Sequence, residues 1–359
     1  TMIKACGVSG HNIEALLYLQ EMQAGGIPLS VIPCSAAIEA LGKSPDLWPL
    51  VMEVWDLMKN KGVIPDVVAY NSLIKAAGEA GKYEEAITFL SEMQSLGMYP
   101  TTTSYNSILD ALGKSSTKWT ETMIMWDALQ RSRVNTDVIS YSTMIKACGK
   151  AGQYDKVMGF LTDMRRDGVQ PNVILYNSAL DVMGKRAEDW RKLLKIWQGM
   201  QLDGVEPNTI TYNSLIKACG ESGKYKEALG LLKEMEAKDI QPDLITLNHI
   251  VHALGKSPEM WESLMEVWLE MVEEKEVQPD VVSYNGMIKS CLAPKEYCSA
   301  LYLLREMGEH QVLPNVESYN SAIQVLGQSP KMWPEVMEVW RMMHANNVNA
   351  NSITHELVL

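Results

Sequence analysis

Hydrophobic residues recur along this chain with the period of short amphipathic helices arranged in pairs. In residues 138–172, Tyr141, Met144, Ile145 and Cys148 fall at i, i+3, i+4 and i+7, the apolar stripe of a helix about three turns long. Gly149 and Gly152 interrupt it. A second stripe begins at Tyr154, runs through Val157, Met158, Leu161 and Met164, and ends at Gly168 with Pro171 just beyond, residue types that stop a helix. The segment predicts a helical hairpin. Neither helix has enough apolar neighbours within its own unit to be covered, so the hairpin is stable only when stacked on copies of itself.

The rest of the chain supplies those copies. A partial unit covers residues 1–30, and full units follow at 31–66, 67–101, 102–137, 138–172, 173–208, 209–243, 244–280, 281–315 and 316–351. Residues 352–359 open one more. Lengths of 35 and 36 residues alternate, with 37 at 244–280. All ten tryptophans lie in the longer units, seven residues apart on the second helix: Trp48 and Trp55, Trp119 and Trp126, Trp190 and Trp197, Trp261 and Trp268, Trp333 and Trp340. That spacing places both members on the burying face, which predicts core rather than a platform for stacking bases. The shorter units open the same helix with Tyr83, Tyr154 or Tyr225, so large is expected to face small across each junction. A solenoid grows by addition, and one elongated all-α domain over residues 1–359 follows.

Composition narrows the function. The chain is 47% hydrophobic and 21% charged, with no apolar run of the length that spans a bilayer. Thr1 aligns with Thr143 inside a first helix, which puts any targeting peptide outside this sequence. The six cysteines, Cys6, Cys34, Cys148, Cys219, Cys291 and Cys298, form no CxxC pair and no metal-ligand spacing. Four of them share one place in their repeats, which predicts small buried side chains in a reducing compartment. Gly42-Lys43-Ser44, Gly113-Lys114-Ser115 and Gly255-Lys256-Ser257 imitate the end of a phosphate loop, but each lacks the first glycine and the preceding strand. They are expected to be turns. His249 and His252 share a helix face without a third ligand, and no GxSxG, HExxH or GxGxxG occurs. No catalysis, metal or cofactor is expected. The net charge of -12 opposes a uniformly basic surface but leaves room for a local basic stripe.

The polar positions that recur point to a ligand. The fifth residue of each repeat is Ser35, Asn71, Asn106, Ser142, Asn177, Asn213, Asn248, Asn285 and Asn320; the last is Asp66, Thr101, Asp137, Asn172, Asn208, Asp243, Asp280, Asn315 and Asn351. The last residue is explained by helix capping alone. The fifth is harder to explain, because asparagine is a poor helix former: either it bonds a neighbouring repeat or it faces a ligand with amide-like edges. One turn before it stands an aliphatic residue, Ile32, Val68, Ile139, Ile174, Ile210, Ile245 or Val282, with Thr103 and Glu317 as exceptions. Four residues after it come Lys75, Lys146, Lys217 and Lys289, and eight after it Lys43, Lys114, Lys150, Lys185 and Lys256. An aliphatic, then a small polar, then a cationic position matches a ligand with an apolar face, hydrogen-bonding edges and one negative charge per repeat. A strand of nucleotides has those properties.

On these residues, in phrases such as VVAYNSLIKAAGEAGKYEEAITFLSEM after Asp66, the chain resembles the pentatricopeptide repeat proteins over essentially its whole length. The resemblance implies an all-α, right-handed superhelical solenoid of stacked helix-turn-helix repeats that binds single-stranded RNA. In that family the fifth and last residues of a repeat read one base, and the second sandwiches it. Carried over, the pairs imply G-Y-U-A-Y-U-U-Y-Y, with Y a pyrimidine and the amino end toward the RNA's 5′ end, and the lysines would meet phosphates. It also implies a mitochondrion or plastid. The alternative is a protein-interaction scaffold or structural subunit of an organellar ribonucleoprotein such as a ribosome, which the acidic charge and the tryptophan-rich units favour.

Overall fold

The structure, a computed structural model of the chain, describes residues 2–132, 134–186, 190–274 and 277–358, so Thr1 lies outside it. Among the described residues there is no strand. The first helices of the hairpins are α1 (Met2–Ser9), α3 (Val31–Leu41), α5 (Val67–Glu79), α7 (Thr102–Gly113), α9 (Val138–Lys150), α11 (Val173–Met183), α13 (Thr209–Glu221), α15 (Leu244–Leu254), α17 (Val281–Ser290), α19 (Val316–Leu326) and α21 (Ser352–Val358). The second helices are α2 (Asn12–Ala24), α4 (Trp48–Asn60), α6 (Tyr83–Ser95), α8 (Trp119–Arg131), α10 (Asp155–Arg166), α12 (Trp190–Leu202), α14 (Tyr225–Ala237), α16 (Trp261–Leu269), α18 (Tyr297–Glu309) and α20 (Trp333–Ala345). Every full repeat starts its first helix on the residue that the alignment marks as its first.

Packing divides the chain into two compact units, Thr1–Val182 and Met183–Leu359. Within each, a first helix packs on its own second helix and on the first helix of the next hairpin, whereas neighbouring second helices do not approach closely. Glycine sets the first contact. Gly149 does not end its helix, as the hydrophobic pattern suggests, but lies inside α9 against Val182. The same register puts Gly42 on Ala76, Gly78 on Ala111, Gly113 on Ala147 and Gly220 on Ala253. A Cβ on Gly42 would lie 2.4 Å from that of Ala76, so the backbones approach as they do only because the side chain is missing. Gly152, by contrast, has φ +68° and makes the turn of the hairpin.

Each junction between a tryptophan-bearing second helix and the first helix of the next hairpin is filled by rings. Trp55 meets Tyr70 edge-on at 5.0 Å, Trp126 meets Tyr141 at 5.1 Å, Trp197 meets Tyr212 at 5.7 Å and Trp268 meets Tyr284 at 5.3 Å between centroids. Trp126 also meets Phe160 at 5.4 Å. Large therefore faces large here, not small, because it is the first helices that pack through small residues. Trp55, Trp126, Trp197 and Trp268 are core, as the spacing predicts. Of their partners seven residues earlier, in the first turn, Trp48 is buried and Trp119, Trp190 and Trp261 are half-buried; in the last pair Trp340 is half-buried and Trp333 is 49% exposed. The additional residue of repeat 244–280 falls between Trp268 and Pro279, where the helix widens into a π turn at Glu270–Glu274. The cysteines are buried except Cys298, and burial pushes the thiols of Cys148, Cys219 and Cys291 up to about 12.

Gly42→Ala should destabilise the fold by about 1–3 kcal/mol through overpacking. Gly159→Ala, at an exposed site on α10 with nothing within 4 Å, should stabilise by about 0.5–1 kcal/mol. Thermal melts of the two variants check both signs.

Candidate functional site

One edge of the first helices carries all the recurrent polar residues. Most of these helices are capped by the last residue of the preceding repeat, whose side-chain oxygen accepts the N–H three residues on: Ala69 to Asp66 at 2.8 Å, Ser140 to Asp137 at 2.8 Å, Leu175 to Asn172 at 2.9 Å, Thr246 to Asp243 at 2.8 Å and Ser283 to Asp280 at 2.8 Å; Ser30 before α3 makes no such bond. Asn208, Asn315 and Asn351 accept in the same way at 3.0–3.1 Å. The third residue reciprocates, its hydroxyl accepting the cap's own N–H, as in Asp243 to Thr246 at 3.1 Å and Thr101 to Ser104 at 3.0 Å. Sequence reasoning finds the cap but passes over this partner. Its signal was Ser or Thr at the third place: Ser104, Ser140, Thr211, Thr246, Ser283, Ser318 and Thr354.

The fifth residue is joined to that cap across the repeat boundary. Asn71 donates to Thr101 at 3.3 Å, Asn106 to Asp137 at 3.2 Å, Asn213 to Asp243 at 3.1 Å, Asn285 to Asn315 at 3.5 Å and Asn320 to Asn351 at 3.3 Å. Asn248 bonds Asp280 likewise. The amide oxygen of Asn213 accepts from the Thr246 hydroxyl at 2.7 Å, and that of Asn71 from Ser104 at 2.5 Å. Of the two roles left open for asparagine, the bond to a neighbouring repeat is thus realised. The amide oxygens of Asn106, Asn248, Asn285 and Asn320 are nevertheless buried without a donor among the described residues, each at a cost of about 1–3 kcal/mol. Ser35 and Ser142 turn away, donating to Val31 at 2.8 Å and Val138 at 2.7 Å in their own helices. Asn177 is half-buried on α11, and the capping residues are half-buried or exposed.

Burial raises the carboxyl pKa of Asp243 and Asp280, but hydrogen bonds from Thr246 and Asn213 to the first, and from Ser283 and Asn248 to the second, outweigh it. Both are held below the usual aspartate range.

Beside this polar pair the aliphatic residues stand in water. Ile32, Val68, Ile139 and Ile174 in the first unit, and Ile210, Ile245 and Val282 in the second, are each 55–72% exposed. Single exposed hydrophobics are ordinary, but one at the same place in successive repeats makes an apolar row. Ile353 on α21 holds the same register and extends the row by a position that the sequence reading left unassigned. Thr103 and Glu317 interrupt it, and both are exposed.

The lysines separate into two groups. Lys75, Lys146, Lys150 and Lys217 are exposed and hold no carboxylate partner among the described residues. Those at the ends of α3, α7 and α15 instead brace the preceding first helix: Lys43 donates to the Gly7 carbonyl at 2.5 Å, Lys114 pairs with Glu79 at 2.9 Å, and Lys256 donates to the Gly220 carbonyl at 3.3 Å. Lys289 pairs with Glu317 at 2.5 Å, and Lys185 is exposed in the turn after α11. Exposed pairs of this kind are weak, so an arriving anion competes with them at little cost. Of the two histidines, burial, with the charge of Lys217 adding to it, holds the His249 imidazole pKa down, and His252 bonds Glu221 at 3.0 Å.

The profile of the pentatricopeptide repeat domain matches residues 17–80, 125–186, 190–257 and 267–329, and those of the PPR repeat family and the PPR repeat match residues 65–114 and 1–27. The chain belongs to the pentatricopeptide repeat family. A chloroplastic pentatricopeptide repeat-containing protein of Arabidopsis thaliana is 27% identical over 133 residues, 37% of this chain and 19% of its own. Small ribosomal subunit protein mL103 (rPPR7) of the same plant is 26% identical over 179 residues, 49% of this chain and 43% of its own. Crystalline PPR10 from maize is 27% identical, with a TM-score of 0.65 over 99% of this chain and 50% of that one. PPR10 in complex with an 18-nucleotide psaJ RNA element aligns at 22% identity and a TM-score of 0.51, covering 99% of this chain and 60% of that one. The chain thus spans about a fifth of the first of these relatives and half of PPR10.

Because the folded pKa values of Asp243 and Asp280 are depressed, their contribution to stability is present above the unfolded aspartate value of about 4 and is lost as pH falls through the folded values. Asparagine caps without titrating. In urea titrations between about pH 6 and about pH 2.5, the Asp243→Asn/Asp280→Asn double variant should lose less stability on acidification than the parent; equal losses would count against this role.

Proposed function

We propose that this chain binds single-stranded RNA along the first-helix edge of its repeats, taking about one base per repeat, and serves organellar RNA metabolism such as stabilisation, processing or translation. The observation that carries the proposal is the row of exposed aliphatic side chains, each one turn before an asparagine or serine joined or adjacent to a helix cap. Nothing in folding calls for that row, whereas a base offers apolar faces to it and a hydrogen-bonding edge to the pair beside it. The donor-less amide oxygens of Asn106, Asn248, Asn285 and Asn320 would gain from the N–H groups of a base. The free lysines face the charge that such a strand brings once per nucleotide. The crystallised complex of PPR10 with RNA and the chloroplastic relative support the ligand and the organelle.

The reading G-Y-U-A-Y-U-U-Y-Y supplies the probe 5′-GCUACUUCC-3′. The likeness to ribosomal protein mL103 supports a second reading, a ribonucleoprotein subunit that holds protein rather than RNA. Replacing the uracil opposite Asn213 and Asp243 by adenine should cost roughly 1–3 kcal/mol, about 5- to 150-fold in affinity, and affinity for the parent probe should fall as salt rises. Absence of RNA binding together with capture of a ribosomal protein would favour the scaffold.

A further inference from the structure

The apolar row is broken by a charge at one place, and the break is built. Glu317 takes the second position of repeat 316–351, between Val282 before it and Ile353 after it. Its carboxylate is held by Lys289 at 2.5 Å. Lys289 is the counterpart of Lys146 and Lys217, which stand 28 residues before Ile174 and Ile245, as Lys289 stands before Glu317. Those two lysines have an aliphatic neighbour and remain unpaired among the described residues; here the cation is engaged by the residue that replaces the aliphatic. Thr103, the other departure, carries no charge and keeps a methyl group. The ion pair also forms a wall common to two adjoining hollows. One lies along α15 and α17 and is lined by Asn248, Lys256, Val282, Asn285, Lys289 and Glu317; the other by Lys289, Glu317, Asn320, Asn351 and Ile353.

We infer that the Lys289–Glu317 pair is a stop in the stacking track, so that bases opposite repeats 281–315 and 316–351 are not sandwiched. The inference rests on the RNA reading above. A base face pressed on a carboxylate strips its water and gives no apolar contact in return. The same carboxylate repels the phosphates. In each hollow Glu317 stands at the second-residue place next to that of Val282 or Ile353, where an aliphatic residue would continue the row. Sequence selection then ends at repeat 244–280, although Asn285, Asn315, Asn320 and Asn351 still pair as reading residues do.

The experiment is an abasic scan of 5′-GCUACUUCC-3′ with the parent chain and with Glu317→Val, which restores the residue type of position 282. In the parent, removing the sixth or seventh base, opposite repeats 209–243 and 244–280, should weaken binding roughly tenfold, the scale of one stacked base. Removing the eighth or ninth should change it less than about twofold, since no stacking is lost. Glu317→Val should tighten binding of the intact probe and raise the cost at the eighth and ninth positions to that at the sixth and seventh. Equal losses at all four positions in the parent, or a scan that Glu317→Val leaves unchanged, overturn the inference while the RNA reading stands. No binding by the parent overturns both. Because Glu317 is exposed, the variant should keep the parent's melting temperature, and a melt run beside the scan separates lost reading from lost fold.

Discussion

The contact between successive first helices, where a glycine on one meets a small or β-branched residue on the next, is the constraint on which the other features depend. A missing side chain lets two backbones approach, and the approach repeats at one register within each unit. It brings the fifth residue of one repeat within hydrogen-bonding distance of the helix cap of the next. It also leaves the second helices wider apart, so that tryptophan rings of a second helix meet the tyrosine rings of the next first helix edge-on. Close packing on one side and aromatic filling on the other are two results of the same geometry.

The polar edge does two things with one set of atoms. Side-chain caps, most of them capping boxes, satisfy N–H groups at the start of most first helices, and asparagine amides tie many of those caps back to the previous hairpin. This network offsets the cost of asparagine in mid-helix without any ligand. What it leaves over among the described residues is more telling: amide oxygens without donors, lysines without carboxylates, and aliphatic side chains without cover. Stability does not require any of the three, and all lie on the same edge.

Much of this was legible in the sequence because the signals are local. The hydrophobic period, the glycine and proline punctuation and the recurring Asp or Asn placed each first helix on its first residue, and the exposed position of Ile139 or Ile245 followed from their place one turn before the fifth residue. What was not legible depends on residues about thirty positions away. Gly149 reads locally as a helix stop, and only the neighbouring α11 makes it a packing site. Glu79, the Gly220 carbonyl and Glu317, which engage Lys114, Lys256 and Lys289, belong to adjacent repeats, and that engagement follows from the register between helices, not from spacing along one. Trp333 departs from its i+7 partner because burial at a helix's first turn is decided by what stands beside it.

The central claim is that the exposed aliphatic row serves a ligand and not the fold. Changing Ile139, Ile174, Ile210 and Ile245 together to serine, which has nearly the same helix propensity, separates the two. The account predicts a melting temperature close to the parent's and loss of affinity for 5′-GCUACUUCC-3′. A variant that melts well below the parent, or that binds the oligonucleotide as tightly as before, would contradict it.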